Sequence, residues 1–448
     1  MTADLISRLT LGNVLLGTAV LICVGGVSAG AQRVWSWLAV AGLMLVAAAD
    51  DLVPLFLGLE LASLSTCMAL HFGRRDIDEP EAAIVKESGA AARCFLVGLL
   101  ASALFAYGLA LLYGSTGSTG LATIRATLAD ADAPGANLFS LVKTAVVLIV
   151  VGLGIRIAAV PLHFYMPNVH CRTNHGGAVV AAVVLKAAAL LALMRILTAA
   201  APQSQPDAWR IVLVLALLTM TVANVAALRQ DNLRRLLVYA SIAQGGYMLL
   251  ALSTITTADP TPDAAAATLV YLGTYATAMI GTLATLVYLG RRDREIEIVE
   301  ELAGLGRSRP WAAAALALFA VSLAGIPPAA GFWGKLAVIR SVVDLAQRGG
   351  ADLRPWFVVA TVVTAINVLL AAVYHLRIVA VIYLRMPLGI PKAEGGRAPA
   401  AAVIVCAAAT AVIGLFRAPL VDACDRAAES MVGTTVQESQ NPEQEPGE

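Results

Sequence analysis

Glu60, Arg156, Lys186 and Lys335 are the residues whose chemistry stands out. Each sits in apolar sequence: Glu60 in FLGLELASLS, Arg156 in VGLGIRIAAVPLHFY, Lys186 in AAVVLKAAALLALMR, and Lys335 at the end of SLAGIPPAAGFWGK. Carboxylates and amines exchange protons, and an ionisable group inside a membrane span is costly enough to mark an ion path by default. The bland alternative is snorkelling, in which a long side chain near a span end reaches the interface. That reading suits Lys143, Arg195 and Arg340, which lie close to span ends. It suits Glu60 and Lys186 poorly, because glutamate is short and Lys186 is near mid-span. Two of the charges also flank prolines. Arg156 precedes Pro161, and Lys335 follows a stretch broken by Gly325, Pro327, Pro328 and Gly331. Proline removes a donor and clashes with the carbonyl one turn back. Broken helices at membrane depth are tolerated where protein or water satisfies the freed groups, and they mark ion or substrate sites near the midplane. A single break would favour a packing kink. Two breaks, one with a charge before it and one with a charge after it, favour an ion path between halves of inverted topology.

The elements that must position these charges follow from composition and hydropathy. The chain is 59% hydrophobic and 14% charged, against about half apolar and a quarter charged in soluble domains. Apolar runs long enough to span recur along it, so the fold class is an all-α polytopic membrane protein. With a window of roughly 20 residues about twelve spans are expected. They lie near 9–30, 34–50, 52–72, 94–114, 139–161, 177–198, 209–228, 235–254, 266–290, 311–341, 356–384 and 399–417. A short helix is expected near Phe164 to His170. Residues 1–420 read as one integral domain, and the polar stretch 434–448 reads as a disordered tail. Orientation follows the positive-inside rule. Arg74, Arg75, Lys86, Arg93, Arg229, Arg234, Arg235, Arg291, Arg292, Arg294, Arg307, Arg309, Arg385, Lys392 and Arg397 fall on one side, expected to be cytoplasmic. Asp50, Asp51, Asp130, Asp132, Asp259 and Asp263 fall on the other, and both termini are expected on that outer side. No signal peptide is recognisable, so nothing is expected to be removed.

Other chemistries find little support. A formal charge of +1 argues against a nucleic-acid partner. The six cysteines show no CxxC spacing, so no iron–sulfur cluster or structural zinc is expected. His170, Cys171 and His175 in HCRTNH include metal-ligand types, but short polar loops gather such residues by chance. No Walker loop, HExxH or nucleotide fingerprint is present, and VGLGI from Val151 reads as helix.

Several stretches carry a family resemblance. DDLVPLFLGLELASLSTCMAL (50–70) resembles the glutamate-bearing helix of the antiporter-like membrane subunits of respiratory complex I. PLHFYMPNVH (161–170) is similar to that family's PFHxWxPDVY, in the form typical of subunit N of NADH–quinone oxidoreductase. ALRQDNLRRLLVYASIAQGGYMLLAL (227–252), LAGLGRSRP with SLAGIPPAAGFWGK (302–335), and AAVYHLRIVAVIYL (371–384) resemble later signatures of that subunit. The resemblance implies two inverted five-helix repeats, about 52–228 and 235–384, each with a Pro-broken helix. It implies a proton path on which Glu60 is the coupling glutamate and Lys186 the central lysine. Lys335 is then the lysine of the second broken helix, a position where the sister subunit M has glutamate, and His163 matches the PFH histidine. Arg156 stands where the family has a lysine, and HCRTNHGG replaces the family's YEGAPTP. The alignment starts at the family's third span.

The implied function is proton translocation coupled to electron transfer from NADH to quinone. The resemblance implies that this chain binds no cofactor, with NADH, FMN, iron–sulfur clusters and quinone held on other subunits. It implies partners among the other membrane subunits (M, K, L, J and A types), the lipid bilayer as surroundings, and a bacterial inner membrane as location. Amines suit such work: they release a proton more readily once desolvated or set beside another cation, and a nearby carboxylate opposes that. Arginine keeps its proton at any ordinary pH, so Arg156 is either a fixed charge acting on its neighbours or the mark of a silent half-channel. Three rival readings stay open: a subunit of a multisubunit sodium/proton antiporter or membrane-bound hydrogenase, a standalone secondary transporter, and a non-pumping structural subunit.

Overall fold

A computed structural model describes residues 30–72, 81–129, 136–170, 173–200, 208–257, 263–290, 296–386, 396–416 and 418–432. The described residues form helices: α1 (Gly30–Ala48), α2 (Leu52–Phe72), α3 (Glu81–Thr116), α4 (Leu121–Ala129), α5 (Ala136–Ile157), α6 (Met166–His170) and α7 (His175–Ala200). They continue with α8 (Ala208–Leu228), α9 (Leu233–Ile255), α10 (Asp263–Leu289), α11 (Leu305–Ser308), α12 (Pro310–Ala324), α13 (Ala330–Arg348), α14 (Arg354–Leu384), α15 (Arg397–Leu415) and α16 (Ala418–Val432). Ten of these helices are long and apolar enough to cross a membrane. The expected span at 9–30 and the tail at 434–448 lie outside the described residues. The expected span at 311–341 is divided into α12 and α13. Helix α16 was not anticipated, because its sequence alternates polar and apolar residues too closely to read as a span.

Burial sorts the helices into an inner set and an outer set. The most apolar window of α7 is wholly buried, and those of α9 and α10 are 94% and 78% buried, whereas α3 and α14 reach only 28%. A helix apolar on every side is stable only in such an interior or against an apolar surrounding, and the exposed leucines and valines of α3 and α14 give the bundle an apolar outer surface. Polar residues at helix ends set the entries. Asn174 accepts a bond from Gly177 N at 2.8 Å at the start of α7, and Gln32 on α1 donates to the same Asn174 oxygen at 2.9 Å. Asn232 caps α9 through Arg235 N at 3.1 Å. Such caps satisfy donors that a helix start leaves unpaired.

Both interruptions are built alike. Helix α5 ends at Ile157, Ala158 takes a left-handed conformation (φ 63°), and Pro161 follows. Helix α12 ends at Ala324, Gly325 takes φ 81°, and Pro327 and Pro328 follow. Proline disfavours helical backbone in the residue before it, so the chain leaves the helix ahead of the proline. The first break therefore comes at Ile157, not at Pro161 where the expected span 139–161 placed it. The released backbone groups find partners: Val160 N donates to the Thr219 hydroxyl at 3.0 Å, and the Tyr165 hydroxyl donates to the Ile155 carbonyl at 2.8 Å.

Candidate functional site: a buried line of charges

Glu60 and Arg156 form an ion pair. Arg156 Nη2 lies 2.5 Å from Glu60 Oε1, with the two side chains 2% and 20% exposed. Ser102 on α3 closes the group: its hydroxyl donates to Glu60 Oε2 at 2.9 Å and accepts from Arg156 at 2.6 Å. Arg156 Nη1 also donates to the Leu59 carbonyl at 3.3 Å. The planar guanidinium spreads its donors over separate nitrogens and serves these acceptors at once. The fixed charge of Arg156 is thus met first by Glu60.

Lys186 follows a π-helical turn, Val180–Leu185. Wide turns of this kind shift the register of a helix and recur at functional positions. The Lys186 ammonium donates to the carbonyl and hydroxyl of Ser241 at 2.5 and 2.6 Å. It also lies 5.6 Å from the centre of the Tyr275 ring, whose hydroxyl shares a 2.7 Å bond with Ser241 and donates to the Ala182 carbonyl at 2.8 Å. Gly245 faces this group, and a side chain there would meet both the Ile157 carbonyl and Lys186 Nζ at 3.8 Å. The open end of α5 and Lys186 thus share one space.

Lys335 reaches back across the second break. Its ammonium donates to the Leu323 and Ala324 carbonyls at 3.0 and 2.7 Å. These are unpaired carbonyls at the end of α12, where the helix dipole favours a cation. The Tyr247 ring adds a cation–π contact at 5.2 Å. Gln244 donates to the same Leu323 carbonyl at 3.1 Å and accepts a short bond from the Tyr271 hydroxyl.

Helix α9 therefore joins the two lysines. Ser241 holds Lys186, Gln244 touches the carbonyl that holds Lys335, and Tyr247 covers Lys335. Steps of three residues keep these side chains near one face. Past Tyr247 an amide cluster continues: Asn224 donates to Asn367 Oδ1 at 2.9 Å and accepts from the Tyr374 hydroxyl at 3.0 Å.

The structure thus gathers Glu60 with Arg156 and brings Lys186 and Lys335 to side chains of α9. His163 stands apart. It lies in the first break, and its Nδ1 is buried with no hydrogen-bond partner among the described residues. Of the residues in HCRTNH, Cys171, Arg172 and the His170 side chain lie outside the described residues. Arg195 donates to the Ala47 and Ala49 carbonyls at the end of α1 and pairs with the exposed Asp50 at 3.1 Å. Ser102, Ser241, Gln244 and Tyr275 were missed by sequence reasoning. The signal available for Gln244, and for Asn224 and Asn367, was an amide inside an apolar span, which needs a partner as a charge does. Ser102 and Ser241 gave no such signal.

The model of the family described as NADH:quinone oxidoreductase/Mrp antiporter, TM, matches residues 49–366. The NADH-quinone oxidoreductase subunit N 1 of Sorangium cellulosum is 37% identical over 383 residues, covering 84% of this chain and 72% of that protein. The NADH-quinone oxidoreductase subunit N of Methylobacterium nodulans is 33% identical over 395 residues, covering 87% and 75%. Among solved structures, a chain of respiratory complex I from Thermus thermophilus with bound aureothin superposes with a TM-score of 0.70 at 28% identity, over 95% of this chain and 94% of that one. A chain of the Mrp complex from Dietzia sp. superposes at 0.77 with 22% identity, over 96% and 83%, a likeness of fold.

Proposed function

The chain belongs to the NADH:quinone oxidoreductase/Mrp antiporter family of membrane proteins, and from that membership we propose that it is a proton-translocating membrane subunit of the subunit N type. It works within an NADH–quinone oxidoreductase, coupling electron transfer from NADH to quinone to proton movement across a bacterial inner membrane. NADH, FMN, iron–sulfur clusters and quinone belong to other subunits of that assembly, and its neighbours are the M, K, L, J and A types. Residues 1–420 act as one membrane domain with inverted halves at about 52–228 and 235–384, and both termini lie on the outer side.

One observation carries this reading: ionisable groups lie inside the bundle, each held by polar partners, with Arg156 and Lys335 beside the two helix breaks. Lys186 and Lys335 are 0% and 3% exposed. A lysine so placed has reason to alternate between charged and neutral forms, because burial penalises the charge and the carbonyls around it reward it. Arg156 keeps its proton and acts as the fixed countercharge of Glu60. Changing the charge or position of Glu60 would free Arg156 to act on the shared space next to Lys186. Lys186, α9 and Lys335 then form the route along which the change is passed. His163, at the first break, is a further candidate on the path.

The test is Glu60→Gln in the assembled complex, reconstituted into sealed vesicles. The glutamine keeps the shape and the Ser102 contact but not the charge. Normal assembly with lowered proton uptake per NADH oxidised is expected. Uptake equal to that of the unaltered complex would remove Glu60 from the coupling.

A further inference from the structure

Two thiols face each other where α2 packs on α3. The Cys67 thiol on α2 donates to Cys94 Sγ on α3 at 3.4 Å. Both cysteines are free and buried. A buried cysteine commonly serves as no more than a small apolar side chain. A pair in contact across two helices can also be joined: the sulfurs need approach by only about 1.4 Å to reach bonding distance.

The pair sits on the same helix contact as Glu60. Cys67 lies seven residues after Glu60 on α2, and Cys94 lies eight residues before Ser102 on α3. Either interval is two helical turns, about 11 Å. The opposite order on the two helices means that they pack antiparallel. The thiol contact is therefore a second tie between them, two turns along from the 2.9 Å bond of Ser102 to Glu60. Cys67 and Cys94 also share a buried cluster with Ile155, Ala158, Tyr165 and Met166. These residues flank the first break, which follows Arg156, the ion-pair partner of Glu60.

We propose that Cys67 and Cys94 are a site of reversible oxidation by peroxide, whose disulfide clamps α2 to α3 and stops proton uptake. Hydrogen peroxide is small and uncharged, so burial does not bar it as it bars an ion. One sulfur, on losing its proton, attacks the peroxide O–O bond. That bond breaks to leave a sulfenic acid, and the departing oxygen leaves with the proton as water. The second sulfur displaces the sulfenic hydroxyl, which takes the second thiol proton and leaves as another water. Two thiols and one peroxide thus become one disulfide and two waters, and a dithiol reverses the change by exchange. The pair lies towards the His71 end of α2, the end expected to be cytoplasmic, where disulfides are transient and redox-sensing. Formation of the disulfide stands on the thiol geometry alone. Its effect on pumping rests on the function proposed above, in which Glu60 changes its charge or position relative to Arg156.

The experiment treats the assembled complex in sealed vesicles with hydrogen peroxide and then with dithiothreitol. Free thiols are alkylated, linked peptides carrying Cys67 and Cys94 are sought by mass spectrometry, and proton uptake per NADH oxidised is measured alongside. After peroxide, the linked peptide and a loss of uptake are expected, and dithiothreitol is expected to reverse both. Cys67→Ala and Cys94→Ala are expected to pump at the unaltered level and to keep that uptake in peroxide, with Cys67→Ser taking their place if the alanine variants do not assemble. Absence of the linked peptide from the unaltered complex overturns the proposal, and that measurement needs no variant. An equal loss of uptake in the cysteine variants places the peroxide damage elsewhere and overturns the clamp. Unaltered uptake in Glu60→Gln would instead overturn the coupling reading, whether or not the linked peptide forms.

Discussion

At the scale of single residues, Arg156 is the most informative. A guanidinium cannot cycle between charged and neutral forms, yet it occupies the centre of the Glu60–Ser102 cluster. Removing one partner of a buried pair costs about 3–5 kcal/mol, because the other charge is left uncompensated. Arg156→Ala is therefore expected to lower the melting temperature of the detergent-solubilised complex and to abolish the pumping that depends on Glu60. Arg156→Lys keeps the charge and is expected to retain pumping. Should Arg156→Lys assemble but fail to pump, the several simultaneous hydrogen bonds of the guanidinium are themselves required. If neither change matters while Lys335→Ala does, the first half is silent and the second carries the protons alone.

At the scale of elements, the break between α12 and α13 sets the position of Lys335. Gly325 has φ 81°, a conformation that costs about 1–2 kcal/mol for a residue with a Cβ. A Cβ there would also overlap the Lys335 side chain. Gly325→Ala is thus expected to push the ammonium off the Leu323 and Ala324 carbonyls and to reduce proton uptake towards the level of Lys335→Ala, in a complex that still assembles. Uptake unchanged in that variant would mean that the lysine is placed by something other than the break. Gly331→Ala is expected to be harsher. Its Cβ would run into the Ser322 carbonyl, which is backbone and cannot rotate away, so loss of the subunit from the purified complex is the expected result. The prolines and glycines of this element were legible in the sequence. The handover of α12's last carbonyls to Lys335 was not, since it depends on where the chain returns after the break.

At the scale of the whole molecule, charge is segregated between the two ends of the bundle. Arg377 and Arg385 meet Asp231 and Glu300, and Arg234 meets Glu297, at one end. Arg195 meets Asp50 at the end of α1, and Asp51 accepts from the Thr119 hydroxyl at 2.6 Å nearby. The excess of lysine and arginine in the first set of loops sets the expected orientation. Single cysteines placed in the loops of Arg74, Arg234 and Arg292 are expected to resist a membrane-impermeant thiol reagent in intact cells, while cysteines near Asp130 and Asp263 are labelled. The reverse pattern would invert the molecule in the membrane.

Sequence alone determined the class of fold and the identities of the membrane-embedded charges. The reason is that lipid imposes local rules: a span needs an unbroken apolar run, and a charge or proline inside one stands out against it. Glu60, Arg156, Lys186 and Lys335 were visible for that reason, as were the two breaks. Only the tertiary structure decided which charges meet. Glu60 pairs with Arg156 across 96 residues of sequence, and Lys186 rests on a serine 55 residues away. No periodicity encodes such distances, because they are set by the packing of α2, α3, α5, α7 and α9 around one another. Serine hardly disturbs an apolar pattern, so Ser102 and Ser241 became recognisable only once the charges they bridge had been brought to them.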